Sequence, residues 1–258
     1  MNIIVFDTET TDLQKPYCYN VGYVVFDTET MQKVVKREFV VEQVWHNTML
    51  FNTAYYADKK EIYIARMRGR TAVLDKWGYV MQKIRRDIVD FEITDGYAYN
   101  SDFDERVFAY NCDWFKTLNP LDTIKIHDVR GYVAEVIANT AEYRAFCEQN
   151  NLFTESENYS TTAEAVYKFI ANKTDFVEEH TALADSDIEC DILVNCILRG
   201  CEWGADYGTK VAPRVVEKTY IVIDCDNNRH EFAYTSKRKI SGQDGIKLTR
   251  KTNEKKRE

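Results

Sequence analysis

The hydrophobic positions of this chain fall either into short apolar runs or into stretches of helical spacing, and each predicts its own kind of element. Residues 2–6, NIIVF, form a short apolar run rich in β-branched side chains that ends in the acidic DTETTD, the pattern of a buried strand. Residues 21–26, VGYVVF, and 33–41, KVVKREFVV, flank the turn-prone DTETMQ and predict a hairpin. Between about 57 and 91 the spacing becomes helical, with Val73, Trp77, Val80, Met81, Ile84 and Ile88 three and four apart. A strand over 92–99, a helix carrying Val107, Phe108 and Trp114, and a strand over 124–129 follow. Apolar stripes then predict helices over 131–149, 161–172 and 182–199, the second capped by Ser160 or Thr161 ahead of Glu164. Three strands followed by alternating strands and helices imply an α/β domain, a five-stranded mixed sheet flanked by helices.

Past residue 204 the texture changes. KTYIVIDCDNNRHEFAYTSK predicts two strands joined at Asp226–Asn228, and the stretch from Lys237 is rich in Lys and Arg with few apolar residues. The expected division is a main domain over 1–204 and a β-hairpin appendage with a basic tail over 205–258.

Charge sharpens this division. The net charge is −8, yet residues 205–258 hold 13 Lys and Arg against 8 Asp and Glu, so residues 1–204 carry −13. An acidic body does not suit a protein that grips nucleic acid through its surface field alone. It does suit one that meets phosphate through bound divalent cations, which reverse the local sign. No run approaches eighteen apolar residues, and MNIIVFDTET has neither a basic n-region nor a small-residue cleavage site, so no membrane association and a cytoplasmic location are expected. The seven cysteines include no C-x-x-C pair; Cys190, Cys196 and Cys201, six and five apart, fit buried thiols of a reducing compartment.

The pentapeptide FDTET occurs twice, at 6–10 and 26–30. Side chains two apart on a strand share a face, so D-x-E sets two mutually repelling carboxylates side by side, and a divalent cation relieves the repulsion. The first copy ends a predicted inner strand, where a loop would face a cleft; the second fills a hairpin connection, where Asp27, Thr28 and Glu29 do turn work. Asp7 and Glu9 are therefore the candidate ligands.

Two more segments extend the pattern. YNSDFDERVF at 99–108 contains N-x-x-F-D with its acid at Asp104, and HTALADSDIE at 180–189 contains H-x-x-x-x-D with its acid at Asp185. With FDTET, these resemble the three motifs of the DEDDh (DnaQ-like) 3′→5′ exonucleases, in order, over roughly residues 1–200. The resemblance implies a ribonuclease H-like fold with the first strand central and the second antiparallel to it. It also implies that Asp7, Glu9 and Asp185 ligate metal with Asp104 assisting, that His180 activates water, and that Thr8, Thr10 and Asn100 contact substrate.

The chemistry is consistent with that assignment. Two hard cations roughly 4 Å apart supply both the nucleophile and the charge neutralisation that phosphodiester hydrolysis needs. All-oxygen ligands select Mg²⁺ or Mn²⁺, and a histidine beside the water accepts its proton. Residues five apart on a helix lie about 140° apart by its 3.6-residue turn, so His180 belongs on the loop before the helix and Asp185 in its first turns. Asp187 faces elsewhere and is expected to be solvated, and Glu189, four beyond Asp185, is the reserve ligand. Asn100 is equally a turn residue or a nucleotide contact; Phe103 fits the core; His46, His127 and His230 fit structural roles.

The family often has Thr-Gly-Leu where this chain has Thr11-Asp12-Leu13, which puts the geometry of that loop in question. The expected activity is release of nucleoside monophosphates from single-stranded DNA 3′ ends, with a DNA polymerase or replisome as possible partner. An exoribonuclease, or a silent nuclease fold that only binds, are the alternatives.

Overall fold

A computed structural model describes residues 1–223 and 229–236. The chain divides into two compact units, Met1–Leu152 with Ser160–Val211, and Phe153–Tyr159 with the residues from Ala212 onward.

The first unit is built on a six-stranded sheet. Its strands are β1 (Asn2–Thr10), β2 (Cys18–Asp27), β3 (Gln32–Val41), β4 (Val73–Asp75), β5 (Asp95–Ala98) and β6 (Lys125–Asp128), in the order β4-β3-β2-β1-β5-β6. Only β2 runs against the others. This is the mixed, ribonuclease H-like arrangement expected, with β1 inside and β2 antiparallel to it, and it gathers the carboxyl ends of five strands along one rim.

Two details of the sheet differ from expectation. The sixth strand, β4, adds three edge residues opposite Phe39–Val41. Helical spacing includes Val73, but the chain breaks at Gly69 and at Arg70, whose φ is 60°. A strand of three residues is too short to show a period of two. β1 also continues through Thr10 rather than ending at Phe6, so Asp7 and Glu9 stand on the strand itself, opposite Gly22 and Asn20 of β2.

The helices are α1 (Glu42–Trp45), α2 (Thr48–Phe51), α3 (Lys60–Arg68), α4 (Trp77–Asp90), α5 (Ser101–Phe115), α6 (Val129–Val133), α7 (Ala141–Asn150), α8 (Ala163–Ile170) and α9 (Ala182–Leu198). The single helix expected over 131–149 is two, separated by a π turn at Ala134–Ala138. Thr140 starts α7 afresh by accepting the Tyr143 N–H at 3.2 Å. The cap of α8 is Thr162, which accepts the Ala165 N–H at 3.2 Å, in place of Ser160 or Thr161.

Alternation along the central strands assigns the two faces. Phe6 and Tyr23 point into a core with Trp77, Val80, Ile84 and Phe108 from α4 and α5. Asp7 and Gly22 point the other way, where α9 lies across β1 and β2. Cys190, Cys196 and Cys201 are buried thiols outside any disulfide, as their spacing implies. Among the described residues no helix is long and apolar enough to cross a membrane.

In the second unit, β7 (Val216–Ile223) and β8 (Arg229–Ser236) pair antiparallel from Val216↔Ser236 to Ile223↔Arg229. The expected turn at Asp226–Asn228 and the basic stretch from Lys237 lie outside the described residues.

Candidate active site

Asp7 and Glu9 share the α9 face of β1, and Asp185 sits in the first turn of α9. One carboxylate oxygen from each of the three lies within 4.8 Å of the others. Two features of β2 allow this approach. Gly22 has no side chain where the α9 backbone crosses, since a Cβ there would stand 2.1 Å from the Leu183 nitrogen. Asn20, fully buried, accepts the Ala182 N–H at 2.8 Å and so ties down the start of the helix.

Asp104 arrives from the opposite side of the strand, in the first turn of α5. It is 1% exposed and accepts the Thr8 hydroxyl at 2.6 Å. Thr8 is itself buried, with its hydroxyl directed at that carboxylate. Thr10 donates to the Asp12 carbonyl at 3.3 Å on the open side of the loop. Asn100 precedes α5 in a left-handed conformation, φ 70°, and its N–H donates to Asp128 at 3.1 Å. Phe103 packs against the core.

These acids share poorly solvated ground. Burial first, then the charges of Asp104, Glu189, Asp185 and Glu9, raise the Asp7 carboxyl well above the usual range. Glu9 is raised by burial, then by Asp185 and Asp104. Burial pushes Asp104 up to about 7, and burial with Glu178 and Glu179 pushes Asp185 up to about 8. Glu189 is 4% exposed, accepts the Tyr99 N–H at 3.3 Å, and is raised by burial, Asp104 and Asp185. Carboxylates in this relation repel as anions unless protons or cations neutralise them. Asp185 Oδ1, moreover, is buried with no hydrogen-bond partner, which is costly for a carboxylate oxygen. Convergent carboxylate oxygens and an orphaned buried acceptor fit a hard divalent cation.

His180 occupies the loop just before α9, as its spacing from Asp185 requires. Its φ is 55°, an uncommon region for a residue with a Cβ, so the segment around it must hold it there. Its ring stacks on Tyr56 at 4.5 Å and 11°, and Nδ1 lies 3.6 Å from Glu178 Oε2. Arg66 binds both Glu38 oxygens, at 2.7 and 2.8 Å, and reaches the Thr181 hydroxyl at 3.0 Å and the Glu179 carboxylate. Lys59 donates to the Glu179 carbonyl at 2.7 Å. Burial and the Lys59 charge lower the His180 pKa, which favours the neutral, proton-accepting ring.

Sequence patterns did not reveal Asn20, Gly22, Tyr56, Lys59, Arg66 or Glu178. None sits at motif spacing from the acids, and only folding brings them to the site. Glu164, Glu178 and His180 also group closely, but Glu164 is already engaged by Lys168 at 2.6 Å and the Glu178 N–H at 3.1 Å.

The remaining polar residues have structural places. In the second FDTET copy, Asp27 accepts the Glu29 N–H at 2.9 Å and the Thr30 hydroxyl at 2.8 Å, closing the turn. Asp187 pairs with Lys33 and Lys36 at 2.8 and 2.6 Å on another face of α9. His127 is buried between Asp206 and Asp95, at 2.9 and 2.8 Å. Asp12 does not need a positive φ; its side chain accepts the Gln14 and Lys15 N–H groups at 2.6 and 3.0 Å, so an Asx turn shapes this loop without glycine.

Neither a protein-family model nor a curated protein sequence matches the chain. Solved structures do resemble it. The nuclease domain of 3′hExo, a DEDDh family member bound to rAMP, is 14% identical with a TM-score of 0.48, covering 78% of this chain and 94% of that one. A 3′-exonuclease with 3′-end specific recognition of histone mRNA stem-loop is 14% identical with a TM-score of 0.49, covering 93% and 72%. Exonuclease I of E. coli, in complex with a dA16 oligonucleotide, is 12% identical with a TM-score of 0.44, covering 77% and 41%. The chain is thus similar in structure to 3′-exonucleases, a DEDDh family member among them.

Proposed function

We propose that this chain is a metal-dependent 3′→5′ exonuclease that releases nucleoside monophosphates from single-stranded DNA ends. The observation that carries the reading is the meeting of Asp7, Glu9 and Asp185 within 4.8 Å, from a strand and a helix 178 residues apart in sequence at their extremes. These three hold the cations, and Thr8 holds Asp104 toward the same space. Mg²⁺ or Mn²⁺, as a pair, supply Lewis acidity toward the phosphodiester and neutralise charge on its oxygens.

The protein's own groups do the rest. Glu178 faces Nδ1 of His180 and favours the proton there, leaving Nε2 to accept the proton of the attacking water. The Arg66 and Lys59 contacts fix the segment that carries this histidine, so the ring is oriented before substrate arrives. Thr10 and Asn100 would contact the terminal nucleotide, and Thr8 acts through Asp104.

The test is digestion of end-labelled DNA and RNA oligomers, side by side, with Mg²⁺ and then with EDTA. Metal-dependent loss of 3′ nucleotides from DNA is expected. Preferential loss from RNA would reassign the substrate, and no loss from either would leave a binding module.

A further inference from the structure

We propose that the outward face of α5 is a base-stacking track for the strand behind the 3′ end, with Tyr17, Tyr110 and Trp114 as its platform; this rests on the exonuclease reading above. The helix begins at the candidate site, since Asp104 lies in its first turn. Arg106, Tyr110 and Trp114 follow at spacings of four, which places them in one stripe leading along the helix away from Asp104. At the helical rise, Trp114 lies about 15 Å along the axis from Asp104, and bases stacked roughly 3.4 Å apart would cover that length in about four steps.

Tyr17, from the loop that leaves β1, packs edge-on against Tyr110 at 5.3 Å and 77° and against Trp114 at 5.3 Å and 81°. These contacts give the cluster a fixed shape, yet Trp114 stays 57% exposed, beside a cleft walled by Val44, Leu50 and Phe115. A lone exposed tryptophan is ordinary. A braced one at the far end of a helix whose first turn carries Asp104 has a direction.

Charge identifies what the stripe recognises. Asp102, Glu105 and Asp113 are exposed on the same helix, and within the stripe Arg106 stands over the Phe103 ring at 5.4 Å. Such a surface offers little to a phosphate backbone. Aromatic rings bind any base through its π face, so affinity here comes from unpaired bases, independent of their order.

The experiment uses the full chain in EDTA, where nothing is degraded. Binding of a labelled oligothymidylate and of an abasic strand of equal length is followed by anisotropy. Trp114→Ala should weaken oligothymidylate binding roughly tenfold, and Trp114→Phe should restore most of it. The abasic strand should bind poorly and respond to neither change, and the salt dependence should stay the same across variants. With Mg²⁺, Trp114→Ala should slow digestion of oligomers but leave turnover of bis(p-nitrophenyl) phosphate unchanged.

Equal binding of the two strands, or oligothymidylate binding unaltered in Trp114→Ala, overturns the track; a surface serving a protein partner gives the second result. If Trp114-dependent binding is found but no metal-dependent digestion, the exonuclease reading fails and the track stands. If digestion is normal and Trp114 irrelevant, only the track fails.

Discussion

A methyl group at Gly22 tests how far the site depends on the closeness of α9 to β2. In Gly22→Ala the new Cβ would stand 2.1 Å from the Leu183 nitrogen and 2.2 Å from the Ala182 carbonyl carbon, against 3.4 Å for ordinary contact. Both obstacles are backbone, so no side chain can rotate away, and the first turn of α9 must retreat by more than 1 Å. Asp185 sits two residues further along that turn, in a cluster only 4.8 Å across. Overpacking of this kind costs about 1–3 kcal/mol, and a 1 Å misplacement costs roughly a hundredfold in rate. Urea unfolding and Mg²⁺-dependent nucleotide release would be measured together, with Leu193→Ala as a control. Leu193 is fully buried further along α9, so its truncation costs about 2–5 kcal/mol without moving the first turn. Gly22→Ala should lose far more activity per unit of stability than the control. If both lose activity only in proportion to the unfolded fraction, the close approach does not position Asp185 and the reasoning is wrong.

Other outcomes follow from the same geometry. Asp7→Asn should abolish nucleotide release while Asp27→Asn leaves it near normal, because the first sits in the carboxylate cluster and the second closes a turn; equal losses would contradict the separation of the two FDTET copies. His180→Ala should cut the rate on the order of a hundredfold yet leave Mn²⁺ affinity by titration calorimetry intact, and a parallel loss of affinity would make His180 a ligand instead. Asp104 and Asp185, raised to about 7 and about 8, bind protons more tightly folded than unfolded, where Asp titrates near about 4. Their contribution to metal-free stability is therefore complete below pH about 4 and is lost as pH rises through about 7 to 8. Melting in EDTA should show this decline, Asp185→Asn should lessen it, and Mg²⁺ should stabilise most at the alkaline end, where no protons compete. A metal-free melting temperature that rises over this interval in proportion to Asp185 ionisation would refute the assignment.

The order of elements was legible in sequence because local periodicity reports burial directly. A run such as NIIVF has few places to go but the inside of a sheet, and the α9 stripe had to cover it. Boundaries were less legible where tertiary partners decide. Phe6 ends the apolar run, but pairing with β2 carries β1 on through Thr10. Val73 fits a helical spacing, but Phe39–Val41 recruits it into an edge strand. The cap of α8 moved to Thr162 because neighbouring hydroxyls compete on equal local terms.

The acids Asp7, Glu9, Asp104 and Asp185, and the loop position of His180, were readable because their residue types and spacings mark a known chemistry. How the fold brings them together was not, since it needs Gly22 to admit α9 and Asn20 to anchor it. Neither carries the functional chemistry itself. Tyr56 and Arg66 are likewise ordinary residues of a connecting segment until the fold sets one against the His180 ring and the other between Glu38, Thr181 and Glu179. Local sequence determines which groups are available and which face each presents. Distances of a few ångströms between carboxylates far apart in the chain, and the pKa shifts that follow from them, arise only when burial removes the water that would otherwise screen them.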